Sequence, residues 1–87
     1  MATYTVRIKR QALKQMRRLP TRIRQQAETI IDSLEEEPTP AGARKLRGRA
    51  NTWRVRFAES YRLIYEVRRS ELIVLVLKVG PRGDIYK

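Results

Sequence analysis

The 87-residue chain contains no cysteine and no histidine. Without cysteine there can be no disulfide and no thiolate metal site. Without histidine, transition metals lose their commonest ligand, and acid–base chemistry loses the one side chain that titrates unaided near neutral pH. Long apolar runs are missing too. The longest, Leu72 to Leu77, is strand-sized, far short of the roughly 20 residues a membrane span takes. The first residues offer neither an apolar h-region nor a small-residue cleavage site, so no secretory signal is read. We therefore expect a cytoplasmic chain with no cofactor, no metal and no membrane partner. No repeat, linker or low-complexity segment interrupts it, and residues 1–87 read as a single domain.

Acidic residues are also scarce, 9 against 20 Lys and Arg, for a net charge of +11. Such a surplus on a small domain is the electrostatic footprint of a nucleic-acid partner, or of an acidic protein. The charge is unevenly spread. Residues 1–24 hold eight Lys or Arg and no acid; residues 38–69 hold nine against two. Five of the nine acids fall between Glu28 and Glu37.

Apolar periodicity supplies the fold class. Tyr4, Val6 and Ile8 alternate with Thr5 and Arg7, predicting a short strand. Ala12, Leu13, Met16 and Leu19 then recur at helical spacing. Pro20 closes that helix, and Thr21 is a candidate N-cap for a second. In the second helix Ile23, Ala27, Ile30, Ile31 and Leu34 make an amphipathic stripe, stopped by Pro38 and Pro40. Glu35 to Glu37 sit unfavourably at its C-terminal end, so a basic neighbour is expected there. Residues 38–52 read as irregular, with a basic run from Arg44 to Arg49. Strands follow at roughly 53–58, 61–68 and 71–79. The last is apolar on both faces, as for a central strand covered on each side. The order β-α-α-β-β-β predicts an α+β domain, with a helical hairpin on one face of a small, mainly antiparallel sheet.

The segment Trp53-Arg-Val-Arg-Phe-Ala-Glu-Ser-Tyr-Arg62 carries the most information. Strand side chains alternate between faces, so Trp53, Val55 and Phe57 share one face and Arg54 and Arg56 the other. With Ala58-Glu59-Ser60 as the turn, Phe57 pairs with Tyr61 and Arg56 falls opposite Arg62. Like charges placed directly across a hairpin destabilise it, and an anion between them removes the penalty. Trp53, Val55, Phe57, Tyr61, Leu63 and Tyr65 are expected to form the core face. Arginine three times over, where lysine or glutamate would serve a merely solvated face, favours bidentate phosphate binding.

These residues also resemble a family. Lys45-Leu46-Arg47-Gly48, Trp53-Arg54-Val55-Arg56, Tyr61-Arg62-Leu63-Ile64-Tyr65, and Lys78-Val79-Gly80-Pro81-Arg82 followed by Ile85-Tyr86 are similar to motifs of the RelE/ParE superfamily of type II toxin–antitoxin toxins. The resemblance spans the chain. Its Lys-Val-Gly-x-Arg ending with a nearby tyrosine is similar to the RelE branch, which cuts mRNA. The resemblance implies a metal-independent endoribonuclease that enters the ribosomal A site, where the ribose 2′-OH attacks the adjacent phosphate to give a 2′,3′-cyclic phosphate and a 5′-OH. By motif it assigns catalysis to Arg54, Arg56, Arg62, Arg82 and Tyr86. Lys45, Arg47, Arg49 and Lys78 are candidate phosphate contacts.

Guanidinium groups suit the charge that develops on the phosphate oxygens. Proton transfer is harder to assign, because the family carries lysines where this chain has Arg54 and Arg56, and arginine is a poor base. Tyr86 is the first candidate for base or for orienting the 2′-OH, with Arg82 on the phosphate or leaving oxygen and Lys45 and Lys78 as fallbacks. The resemblance further implies an acidic antitoxin partner, the ribosome and mRNA, and operator DNA only through the toxin–antitoxin complex. Ile73, Leu75 and Leu77 are either a docking surface for that antitoxin or core covered by the chain itself. The alternative functions are a ParE-like DNA gyrase inhibitor and a non-catalytic RNA-binding inhibitor.

Overall fold

The computed structural model describes residues 3–85. It contains β1 (Thr5–Ile8), α1 (Arg10–Arg17), α2 (Thr21–Ser33), β2 (Ala43–Lys45), β3 (Thr52–Phe57), β4 (Tyr61–Arg68), β5 (Ile73–Pro81) and a one-turn α3 (Arg82–Ile85). The strands form one sheet in the order β1-β5-β4-β3-β2. Only the β1–β5 pair is parallel; the remaining pairs are antiparallel. The α+β class and the helical hairpin on one sheet face match the sequence reading.

The core lies between the helices and that face. Ala12 and Met16 of α1, then Leu19, then Ala27, Ile31 and Leu34 along the second helical stripe, meet Val55, Phe57, Leu63, Tyr65, Val67, Val74, Val76 and Val79. Trp53, Tyr61, Ile23 and Ile30 pack at its margin. The expected core face of β3 and β4 is therefore the one observed. Tyr65 is fully buried and its hydroxyl donates to the Pro38 carbonyl at 2.7 Å, which fastens the chain leaving α2 to the underside of the sheet. Burial pushes the Tyr65 phenol up to about 12, since the apolar surroundings disfavour the phenolate.

Several expectations need correction. The segment 38–52 is not wholly irregular, because Ala43–Lys45 pairs with β3 as an added edge strand. Leu13 is exposed rather than part of the core; α1 is only eight residues long and buries the narrower stripe of Ala12 and Met16. Thr21 is the first helical residue, with Pro20 at the cap position and no side-chain cap bond. Proline's fixed φ suits that entry without help from a hydroxyl. Strand β5 is interior to the sheet, but the described helices pack on one face only. Val74, Val76 and Val79 enter the core, whereas Ile73, Leu75 and Leu77 remain half-buried on the other side. Glu35, Glu36 and Glu37 are exposed beyond the end of α2. Among the described residues no cation lies within ion-pair distance of them.

Candidate nucleic-acid site

The sheet face away from the helices carries the arginines. In the observed register Phe57 faces Tyr61 and Arg56 faces Arg62, as the alternation requires. The Phe57 and Tyr61 rings, 5.8 Å apart between centroids, close the end of the hairpin. The turn that follows holds two non-glycine residues in the left-handed region, Ala58 at φ 47° and Glu59 at φ 66°, a conformation that costs an L-residue about 1 kcal/mol or more.

Arg62 is the unusual member. Its side chain is only 2% exposed. One guanidinium nitrogen, Nη1, donates to the Tyr61 carbonyl at 3.1 Å, but among the described residues the buried Nε has no hydrogen-bond partner. Among the described residues no carboxylate reaches Arg54, Arg56 or Arg62; Glu66 on this face and Glu71 in the β4–β5 turn are engaged by Arg68. An arginine stays charged under all ordinary conditions. A buried guanidinium with an unmet donor and a second arginine opposite therefore destabilises the anion-free protein. An anion accepting from both would offset that cost.

Arg54, two residues along β3, is half-buried, and its Nε is likewise buried and without a partner among the described residues. Across the sheet from it lie Ile64 and then Lys78. Ile64 is 2% exposed although no core contact is made on this side; it sits between two long cationic side chains whose stems can cover it. Gly80, opposite Arg62, adds no side chain of its own. Arg82 enters from the same end. Its N–H donates to the Ser60 carbonyl at 2.9 Å, so the start of α3 is held against the β3–β4 turn. Arg54, Arg56, Arg62 and Lys78 thus share one face, with Arg82 at its rim. Tyr86 lies outside the described residues.

The remaining candidates are dispersed. Arg47 and Arg49 are exposed in the turn between β2 and β3, which is closed by Leu46 N–H donating to the Thr52 carbonyl at 2.9 Å. Lys45 pairs with Trp53, and opposed residues point to the same side, so it leans toward the helix side at the sheet edge. Its neighbour Arg44, not singled out from the sequence, pairs with Arg54 and belongs to the arginine face. The missed signal was the strand itself: Ala-Arg-Lys has no apolar alternation to announce it.

The comparisons with known proteins place the chain in a family and a fold. The model of the ParE toxin of the type II toxin–antitoxin system, parDE, matches residues 6–86. The chain belongs to the RelE/ParE toxin family. It is 33% identical over 78 residues to the mRNA interferase toxin RelE of Escherichia coli K12, covering 86% of this chain and 81% of that protein. It is 34% identical over 85 residues to toxin RelG of Mycobacterium tuberculosis, covering 97% of each. The archaeal RelE–RelB complex from Pyrococcus horikoshii superposes with a TM-score of 0.80 at 33% identity, covering 94% of this chain and 98% of that one. The family's two helices on a five-stranded mixed sheet are the fold found here.

Proposed function

We propose that this toxin is a ribosome-dependent endoribonuclease that cuts mRNA in the A site and so arrests translation. The observation that carries the reading is Arg62, buried, with an unmet Nε and Arg56 directly opposite. A phosphodiester between the two satisfies those donors and cancels their repulsion. As the 2′-OH attacks, charge builds on the non-bridging oxygens, and guanidinium groups already in place stabilise it without reorganising. Arg82, at the rim of the same face, is the donor best placed to follow the departing 5′-oxygen. Tyr86 is assigned to the 2′-OH, as base or as orienting group. With no histidine in the chain, much of the rate comes from geometry imposed on the mRNA by the ribosome. The names of the relatives support the reading, since RelE of Escherichia coli is called an mRNA interferase.

An acidic antitoxin is the natural restraint. RelE is bound to RelB in the Pyrococcus complex, and a net charge of +11 attracts an acidic partner here. Operator DNA is reached through that partner, and the setting is the cytoplasm. Inducing the chain in growing cells tests the proposal: growth stops, mRNA acquires new 5′-OH ends, and Arg62→Ala and Arg82→Ala lose both effects. Arrest with intact mRNA and altered plasmid supercoiling would instead support gyrase inhibition, the reading favoured by the ParE name of the matching family model.

A further inference from the structure

The arginine face holds two cross-strand pairs. Arg56 lies opposite Arg62, and Arg44 lies opposite Arg54. Each pair joins neighbouring strands, each sets like charges face to face, and each contains a buried Nε with no partner, that of Arg62 in one and of Arg54 in the other. Among the described residues no carboxylate neutralises either pair. A single repulsive pair marks one anion position; the second pair, two residues further along β3 and one strand spacing across, repeats the pattern at a distance of about 8 Å. That step is comparable to the one between neighbouring phosphates of an extended single strand.

We propose that Arg44 and Arg54 form a second phosphate subsite, which holds the phosphodiester next to the one at Arg56 and Arg62. The inference rests on the functional reading above and deepens it. The ligand is single-stranded RNA with at least two consecutive phosphates, laid across β2, β3 and β4. Its direction is set by the rows themselves: one end of the strand lies over the Arg56–Arg62 row, beside the β3–β4 turn and Arg82, and the other runs toward Arg44 at the sheet edge. Arg44 is exposed on a three-residue edge strand, so its guanidinium can close on a ligand without disturbing the core.

Two non-cleavable probes test it, a 2′-O-methyl dinucleotide with one internal phosphodiester and a 2′-O-methyl trinucleotide with two, both titrated by NMR over a range of salt. The wild-type chain is expected to bind the second probe about ten-fold more tightly, as one further charge-assisted contact implies. Its salt dependence should be steeper by about 0.7 on logarithmic axes, the single-strand increment per phosphate. Arg44→Ala should remove both increments and leave the one-phosphate probe unaffected. Arg44→Lys should keep the salt increment, and Arg69→Ala, in the distant β4–β5 turn, should change nothing. Equal binding of the two probes by wild type, or an equal loss on both in Arg44→Ala, overturns the second subsite. Failure of the wild type to bind either probe overturns phosphate binding by this face in the free protein, whereas the functional reading fails only if mRNA stays intact on ribosomes.

Discussion

Replacing Arg62 by methionine should make the free protein more stable while destroying the site. Arg62 is 2% exposed. The unmet Nε costs about 1–3 kcal/mol, the usual penalty for a buried donor without a partner. Repulsion from Arg56 adds about 0.7 kcal/mol for charges some 6 Å apart in water, and about 3 kcal/mol at an effective dielectric of 20. Arg56 is exposed, so the lower figure applies. Against these stands the bond from Nη1 to the Tyr61 carbonyl, worth about 1.5 kcal/mol with a charged donor. Methionine fills similar volume with no charge, and such replacements of buried charges are often stabilising. The net expectation is a gain of about 1 kcal/mol, or roughly 4–8 °C in Tm for a domain of this size. Urea unfolding of the free chain in a phosphate-free buffer measures it. Repeating the measurement with inorganic phosphate at ten times its Kd for the Arg56–Arg62 site should stabilise wild type by about 1.4 kcal/mol, and Arg62→Met by clearly less, since only the Arg44–Arg54 pair is left to bind it. A variant that loses several kcal/mol, in a wild type indifferent to phosphate, would refute the reasoning and make Arg62 a structural residue.

Other expectations follow from the fold. Glu59→Gly should relieve the left-handed backbone of the β3–β4 turn and raise stability by about 0.5 kcal/mol, once glycine's own entropy is deducted, as read from urea midpoints. Leu34→Ala empties a fully buried position and should cost about 3 kcal/mol; a cost below 1 kcal/mol would show that the α2 stripe is not packed as described. Tyr65 binds its proton more tightly folded than unfolded, its value having risen from 10.0 to about 12. The stability it contributes is therefore present below pH 10 and lost as pH rises from 10 toward 12. Tyr65→Phe should show a shallower fall in Tm over that window, and an equally steep fall would contradict the assignment.

Legibility from sequence divides along physical lines. The β3–β4 register was readable to the residue, because a period-two pattern and a short turn leave no second way to face Phe57 with Tyr61. The α2 stripe was readable for the same kind of reason, five apolar residues at helical spacing. Strand β2 was not, since Ala43-Arg44-Lys45 becomes a strand only by pairing with β3, a non-local interaction with no local signature. Arg44 was overlooked for that reason, and Lys45 was placed without knowing its side of the sheet. The outer face of β5 was left between two readings because apolar residues on both sides of a strand say that both faces avoid water, not which protein covers them. Ile73, Leu75 and Leu77 are half-covered within this chain. Arginine over lysine at 54 and 56 was visible at once, and its proposed consequence, a phosphate site whose protons are moved by other groups, carries into the proposed mechanism.

The most direct measurement is end-mapping in a purified translation system. mRNA is incubated with the wild-type chain or Arg62→Met, with and without ribosomes, and new termini are captured through their 5′-OH and 2′,3′-cyclic phosphate groups. Cuts confined to the A-site codon, present only with ribosomes and absent with Arg62→Met, are the predicted result. Intact mRNA under conditions where the wild-type chain still halts translation would contradict the central claim that this arginine face holds the phosphate being cut.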